Sequence, residues 1–120
     1  ARFPLRVVHL TLGLQVGGQE KLLAEFARHA DRSRFALHFV ALGPRGPVAD
    51  EIEAAGWPVE ALDVPDGLRP GLALRLARLF RRLGAAIVHT HDERPNIYGA
   101  PAAWLAGCRC VHTRHSQGAM

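Results

Sequence analysis

Two kinds of segment alternate along the whole chain, and this alternation restricts the possible folds more than any other feature. Short runs of β-branched and other apolar residues are followed by longer segments in which apolar residues recur every three or four positions. The short runs are typical of strands buried on both faces, and the longer segments are typical of amphipathic helices. Because a strand recurs about every 25 residues with a helix between, right-handed crossovers into one parallel sheet are expected.

The breaks between these segments fall at Gly and Pro residues, which predicts where each element begins and ends. The predicted strands are Arg6–Leu12, Phe35–Leu42, Val59–Val64, Ala85–Thr90 and Cys108–Thr113. The first predicted helix follows Gly17-Gly18, and its apolar side comprises Leu22, Leu23, Phe26, Ala27 and Ala30. The other predicted helices are Val48–Ala55, Gly71–Leu83 and Pro95–Ala106. The expected fold is a Rossmann-like α/β domain of three layers, with about five parallel strands in the order 3-2-1-4-5 and helices on both faces.

The length of the chain sets a lower and an upper limit on the size of the fold. A chain of 120 residues can bury a core without help from a metal or a disulfide. It is too short for an eight-stranded barrel, which needs about 250 residues. The two cysteines, Cys108 and Cys110, lie two positions apart on a predicted strand, where their separation does not suit a disulfide. With no signal peptide and no apolar run of about 18 residues, residues 1–120 are expected to form one cytoplasmic domain.

The charged residues favour some partners over others. Fifteen Lys and Arg residues against 11 Asp and Glu give a net charge of +4, and Lys21 is the single lysine. The arginines are scattered, without a basic stripe interleaved with aromatic residues, so nucleic acid is not expected as a partner. Arg75, Arg78 and Arg82 share one stripe of a predicted helix. This stripe is either a solvated basic face or a peripheral contact with the inner membrane surface.

The expected strand order also predicts where a ligand binds. Strands 1 and 4 are neighbours at the point where the winding direction reverses, and open α/β sheets bind ligands outside the carboxyl ends of the strands at such a point. Three segments lie there: Gly13–Gln19, His91–Arg94 and Arg114–Gly118. The unusual polar residues of the chain are in these segments or directly before them.

A pair of glycines lies between the first strand and its helix. Gly17 and Gly18 are placed where backbone N–H groups and the helix dipole can hold a phosphate. The pattern Gly-x-x-x-Gly-Gly is neither the dinucleotide-binding fingerprint nor a P-loop. A tight strand-to-helix turn that needs positive φ explains the pair equally well, so both interpretations stay open at this point.

The fourth strand ends in His89-Thr90-His91-Asp92, and strand alternation places the two histidines on one face. Such a pair suggests a metal, but a metal site requires three or four convergent ligands and the sequence secures two. No metal is therefore expected. His89 is interpreted as a buried, hydrogen-bonded residue, whereas His91 is expected to contact a polar ligand. The histidines interpreted as structural or surface residues are His9, His29 and His38.

Three motifs together resemble a known family. They are Gly17-Gly18-Gln19-Glu20, Ile87-Val88-His89-Thr90-His91-Asp92 and Val111-His112-Thr113-Arg114-His115. Their order and separation, each at a strand end, look like the amino-terminal domain of family-4 retaining glycosyltransferases of the GT-B fold. The resemblance spans nearly the whole chain.

The resemblance implies a nucleotide-sugar donor, a sugar or lipid-linked acceptor, and retention of the anomeric configuration, with no metal or other cofactor. It implies that Gly17 and Gly18 approach the donor diphosphate and that His91 lies against the transferred sugar as the catalytic residue. The residues implied to border the acceptor are Thr113, Arg114 and His115.

The family's second, carboxy-terminal domain, which holds most of the donor nucleotide, has no counterpart in these 120 residues. The chain is therefore expected to be the acceptor-side domain of a bacterial-like enzyme, a fragment that is inactive by itself. The alternative is a non-catalytic ligand-binding module that assembles with itself through an open edge of its sheet.

Overall fold

The strands that the structure describes lie side by side in one parallel sheet. The computed structural model describes residues 4–13, 18–65, 69–91 and 93–113. Its strands are β1 (Leu5–Thr11), β2 (Phe35–Ala41), β3 (Val59–Ala61), β4 (Ile87–His91) and β5 (Arg109–Thr113). Its helices are α1 (Gly18–His29), α2 (Val48–Ala54), α3 (Leu72–Leu83) and α4 (Glu93–Ala106). The order β3-β2-β1-β4-β5 confirms the predicted topology.

The sheet has a core on each of its faces, because successive strand residues point in opposite directions. On one face Val8, Leu10 and Val88 pack against buried residues of α3 and α4. On the other, Val7 and Phe39 pack against buried residues of α1 and α2. This arrangement confirms the expected three layers with helices on both faces.

Helix α4 packs unusually close to the sheet at Gly99. A Cβ at this position would lie 2.7 Å from Cδ2 of Leu10 and 2.8 Å from Cγ2 of Thr90. Real Cβ atoms do not approach other atoms that closely, so the absence of a side chain lets the helix rest on β1 and β4. The contact places the middle of α4 against residues near the carboxyl ends of these strands.

The apolar side predicted for α1 is wider than the part that the protein buries. Leu23 and Ala27 are buried, as expected, and Ala24 joins them. Leu22 and Phe26 instead remain 65% and 46% exposed, respectively. Helical periodicity identifies an apolar side, but only packing decides how much of it the sheet covers.

Several element boundaries differ from the predicted ones, for local reasons. Strand β3 ends at Ala61 instead of Val64, and Asp63 has a φ of 54°, which an extended strand does not allow. Helix α2 ends with Ala55 as its cap, and Gly56 follows with a φ of 98°. Helix α4 begins two residues before Pro95, because a proline in the first turn interrupts no helical hydrogen bond.

In the part of the chain that the structure describes, none of the helices combines the length and the apolar character that crossing a membrane requires.

Candidate functional site

Three histidines from two neighbouring strands meet near the carboxyl end of the sheet. His9 of β1 is paired in register with His89 of β4, and His91 follows two positions later. Alternation along the strands therefore places the three side chains on the same face, the one that α1 and α2 cover. We call His9, His89 and His91 the histidine cluster.

The rings of the histidine cluster are in direct contact. Nδ1 of His9 lies 3.0 Å from Nε2 of His91, which is a hydrogen bond. The rings of His89 and His91 stack with centroids 4.3 Å apart and an interplanar angle of 17°. One ring nitrogen from each of the three residues lies within 4.8 Å of the other two. The sequence indicated the His89–His91 pair, but it did not indicate that His9 joins them.

His9 is enclosed by aromatic rings. Its imidazole stacks on Phe39 at a centroid distance of 4.9 Å, and the edge of Phe26 lies 5.3 Å away. His9 and His91 are only 3% and 4% exposed. Within the described residues, Nε2 of His9 has no hydrogen-bond partner. A buried polar atom without a hydrogen-bond partner lowers the free energy of unfolding by about 1–3 kcal/mol.

The burial of His9 determines its charge. Desolvation first, and the neighbouring His89 second, lower the pKa of His9 from 6.5 to about 3. At neutral pH the ring is therefore uncharged and carries a single proton. If that proton is on Nδ1, His9 donates to His91; if it is on Nε2, His9 accepts from His91. In both cases the hydrogen bond couples the tautomer of His91 to that of His9.

His89 connects the histidine cluster to the neighbouring strand. Its Nε2 lies 2.6 Å from the hydroxyl oxygen of Thr113, the last residue of β5. This contact confirms the interpretation of His89 as a hydrogen-bonded residue, although it is only partly buried. It also brings Thr113, one of the predicted acceptor-side residues, to the edge of the cluster.

The opposite face of the same strand end is held by Thr90, which is fully buried. Its hydroxyl donates to Oδ1 of Asn96 at 2.9 Å and lies 3.0 Å from Nδ1 of His112. Asn96 belongs to the start of α4, so these contacts tie the helix to β4 and β5. No sequence pattern identified Thr90 or Asn96 as site residues.

The turn after β1 is closed by its own backbone and by Thr11. The Thr11 hydroxyl donates to the carbonyl oxygen of Gly13 at 2.7 Å and accepts from the Gly13 N–H at 3.1 Å. The N–H of Gly43 donates to the carbonyl oxygen of Leu12 at 2.7 Å, so the chain leaving β2 is bound beside it. These bonds hold the carboxyl ends of β1 and β2 side by side.

The predicted site residues have different positions in the structure. His91 is the last residue of β4, Thr113 is the last residue of β5, and Gly18 is the first residue of α1. The remaining predicted site residues, Gly17, Arg114 and His115, lie outside the described residues.

A cavity of about 460 Å³ lies at the other end of the sheet, where Arg6, Leu37 and Trp57 are part of its lining. These residues belong to the amino ends of β1 and β2 or to the turn before β3. The carboxyl ends, where parallel sheets bind ligands, are instead occupied by the histidine cluster.

Comparisons with known proteins agree with the fold and identify a family. The sequence model of Glycosyltransferase Family 4 matches residues 16–119. A glycosyltransferase structure from Rickettsia africae ESF-5 superimposes with a TM-score of 0.68 at 14% identity, covering 92% of this chain and 30% of that one. At this identity the likeness concerns the fold, and the chain spans under a third of that protein's length. A comparison with curated proteins found no significant match. Because the family match extends over most of this chain, the chain belongs to Glycosyltransferase Family 4.

Proposed function

We propose that this chain is the acceptor-side domain of a retaining glycosyltransferase that takes its sugar from a nucleotide-sugar donor. Family membership supports the transferase class. The observation that carries the proposal is the position of His91 at the end of β4, where β1 and β4 meet at the reversal of the sheet order. Ligands bind at this point in open α/β sheets. A second domain would hold most of the donor, so the chain alone would not transfer sugar.

In the proposed reaction the bond between the anomeric carbon and the diphosphate breaks, and a bond to the acceptor oxygen forms on the same face of the sugar. The nucleoside diphosphate leaves with the electron pair of the broken bond, and its released phosphate oxygen takes the proton that the acceptor hydroxyl loses. His91 would lie against the transferred sugar as the catalytic residue. Its ring is oriented by the hydrogen bond to His9 and by stacking on His89, so little reorganisation would be needed when charge develops.

The two substrates would approach this point from different loops. Gly17 and Gly18 precede or open α1, where free backbone N–H groups suit a diphosphate. Thr113, Arg114 and His115 would border the acceptor, a sugar or a lipid-linked sugar. Thr113 is already in contact with the cluster through His89. No metal is assigned to the transfer step itself.

The proposal is tested on a full-length protein that contains this chain, assayed with a panel of sugar nucleotides and acceptors. We expect His91→Ala to lower kcat/KM by about 100-fold or more, because a preorganised polar group at the reaction centre is lost. His29→Ala is the matched control, since His29 is an exposed histidine on α1, and it should keep full turnover. Unchanged turnover in His91→Ala would remove His91 from the mechanism.

Retention of the anomeric configuration is tested by a separate measurement. The anomeric proton of the first product, followed by NMR, should show the configuration of the donor sugar. An inverted product would contradict the retaining mechanism but leave the transferase class intact.

We further propose that the protein is cytoplasmic and makes a peripheral contact with the membrane. Two free thiols, Cys108 and Cys110, are in keeping with the reducing cytoplasm. Arg75, Arg78 and Arg82 would form a peripheral contact with the inner membrane face. Arg82 lies 3.4 Å from Glu60, which offsets part of this charge. Sedimentation with anionic vesicles at low salt tests the contact, and a protein that stays in solution would contradict it.

A second candidate function, self-assembly, is favoured by β5, which forms an edge of the sheet within the described residues. Residues 109–112 of β5 are exposed, and Trp104 of the neighbouring α4 is 79% exposed. Such an edge offers unpaired backbone groups to another chain. Light scattering after size exclusion should then give a mass above that of the monomer. A strict monomer at high concentration would eliminate this alternative.

A further inference from the structure

We propose that His9 selects the tautomer of His91. A proton on Nδ1 of His9 makes Nε2 of His91 an acceptor, so that His91 presents an Nδ1–H donor to an oxygen of the transferred sugar. The inference rests on the proposed function for the identity of that ligand, and it goes further by assigning one proton to one atom in each ring. His9 is then a positioning residue, because it acts on the substrate through His91.

The two rings share one buried hydrogen bond, so their protons are not independent. Nδ1 of His9 and Nε2 of His91 are 3.0 Å apart, and the two residues are 3% and 4% exposed. One of these nitrogens donates and the other accepts. If His9 donates, a neutral His91 carries its own proton on Nδ1; if His9 accepts, His91 carries it on Nε2. The position of the proton on His9 therefore decides which group His91 offers to a ligand.

The surroundings of His9 favour a proton on Nδ1. Burial lowers the pKa of His9 to about 3, so the ring has a single proton at neutral pH. Its Nε2 is buried and has no hydrogen-bond partner within the described residues. The neighbouring rings of Phe26 and Phe39 contain no oxygen or nitrogen that could accept a hydrogen bond. A proton on Nε2 would thus be a buried N–H without an acceptor, which is rarer in proteins than a buried acceptor without a donor.

With the proton of His9 on Nδ1, His91 is a donor and not a base. The two ring nitrogens of an imidazole point in different directions, so Nδ1 is the one that meets a ligand while Nε2 stays on His9. Stacking on His89, with centroids 4.3 Å apart, restrains the His91 ring in this orientation. An N–H group suits a sugar hydroxyl oxygen. It cannot take the proton of the acceptor hydroxyl, which in the proposed reaction goes to the released phosphate oxygen.

The first test is long-range proton–nitrogen NMR of this chain with isotope-labelled histidine at neutral pH, which separates protonated from bare ring nitrogens. We expect a protonated Nδ1 and a bare Nε2 in both His9 and His91. Loss of signals in His9→Asn and in His91→Asn assigns the two rings. His29→Gln, which removes an exposed histidine of α1, should leave both sets of signals unchanged. A proton on Nε2 of His9, or one averaged over both nitrogens, would overturn the proposal.

The second test compares two substitutions of His9 in a full-length protein that contains this chain. Asparagine can place an amide N–H close to the position of Nδ1, whereas leucine has no donor. We expect His9→Leu to lower kcat by about 10-fold or more, since loss of the correct histidine tautomer costs up to about 10⁴-fold in a known enzyme. His9→Asn should recover most of this loss. Equal losses in two folded variants would mean that His9 acts by packing alone, and would overturn the proposal.

The two tests separate this inference from the proposed function. The NMR measurement uses no substrate, so a proton on Nε2 of His9 would leave the transfer reaction in place. Absence of sugar transfer in the full-length protein would instead remove the proposed function, and the NMR result would still decide the tautomer. If circular dichroism shows that His9→Leu is unfolded, the NMR measurement on the parent chain decides by itself.

Discussion

At the scale of single residues, His9 has the largest influence on the candidate site. It holds His91 by a hydrogen bond, it touches the ring of His89, and it is sealed from water by Phe39 and Phe26. A buried neutral histidine of this kind combines two roles, since it orients its neighbour and makes the fold sensitive to acid.

The acid sensitivity of His9 can be predicted with its sign. Its pKa is about 3 in the folded protein and 6.5 as the ordinary value, so between these pH values the unfolded chain binds a proton that the folded chain does not. The contribution of His9 to stability is therefore complete above pH 6.5 and is lost as the pH falls toward 3. The loss is roughly 1 kcal/mol per pH unit.

Urea denaturation at a series of pH values checks this expectation. In His9→Gln the free energy of unfolding should fall less steeply with acid than in the parent. Some dependence should remain, because burial also lowers the pKa of His38, against the opposing effect of Glu60. His29→Gln should leave the parent slope unchanged. Equal slopes for His9→Gln and the parent would mean that His9 titrates normally.

At the scale of elements, the contact between α4 and the sheet positions the site. The Thr90 hydroxyl bonds to Asn96, and Gly99 lets the helix rest on Leu10 and Thr90. These contacts lie on the face opposite to the histidine cluster. They restrain the end of β4 from one face of the sheet, and His9 restrains it from the other face.

A single methyl group at Gly99 is expected to disturb this contact. Gly99→Ala should lower the free energy of unfolding by about 1–3 kcal/mol, because the new Cβ would overlap Leu10 and Thr90 and must push them aside. Chemical denaturation measures the change. Pro101→Ala is a matched control on the same helix: Pro101 is exposed and inside α4, so its replacement should not destabilise. Equal stability of Gly99→Ala and the parent would show that α4 can shift freely.

At the scale of the whole molecule, one sheet is shared by two cores. Phe80 lies in the core under α3 and α4, and Trp57 lies in the core under α1 and α2. The Trp57 indole N–H donates to the carbonyl oxygen of Ala27 at 2.7 Å. This hydrogen bond joins the turn before β3 to α1. Because both layers rest on the same strands, the chain should unfold as one cooperative unit.

A substitution that destabilises the core on one face of the sheet should therefore destabilise the core on the other face equally. In a Trp104→Phe background Trp57 is the remaining tryptophan of the two, and its fluorescence reports the α1 and α2 layer. Phe80→Leu on the opposite face should cost about 1 kcal/mol and shift the fluorescence and circular dichroism transitions equally. A fluorescence transition that does not move would mean that the layers unfold separately.

The sequence alone determined the type and order of the elements, the topology of the sheet and the position of His91 and Thr113 at strand ends. The elements follow from local signals, because periodicity and the Gly and Pro breaks act over a few residues. Their alternation then restricts the chain to right-handed crossovers into one parallel sheet. The tertiary structure decided which histidines meet. His9 joins His89 and His91 through the register of β1 against β4, and a register is set by pairing between segments about 80 residues apart that no local pattern encodes. For the same reason it was packing, not periodicity, that left Leu22 and Phe26 of α1 partly exposed.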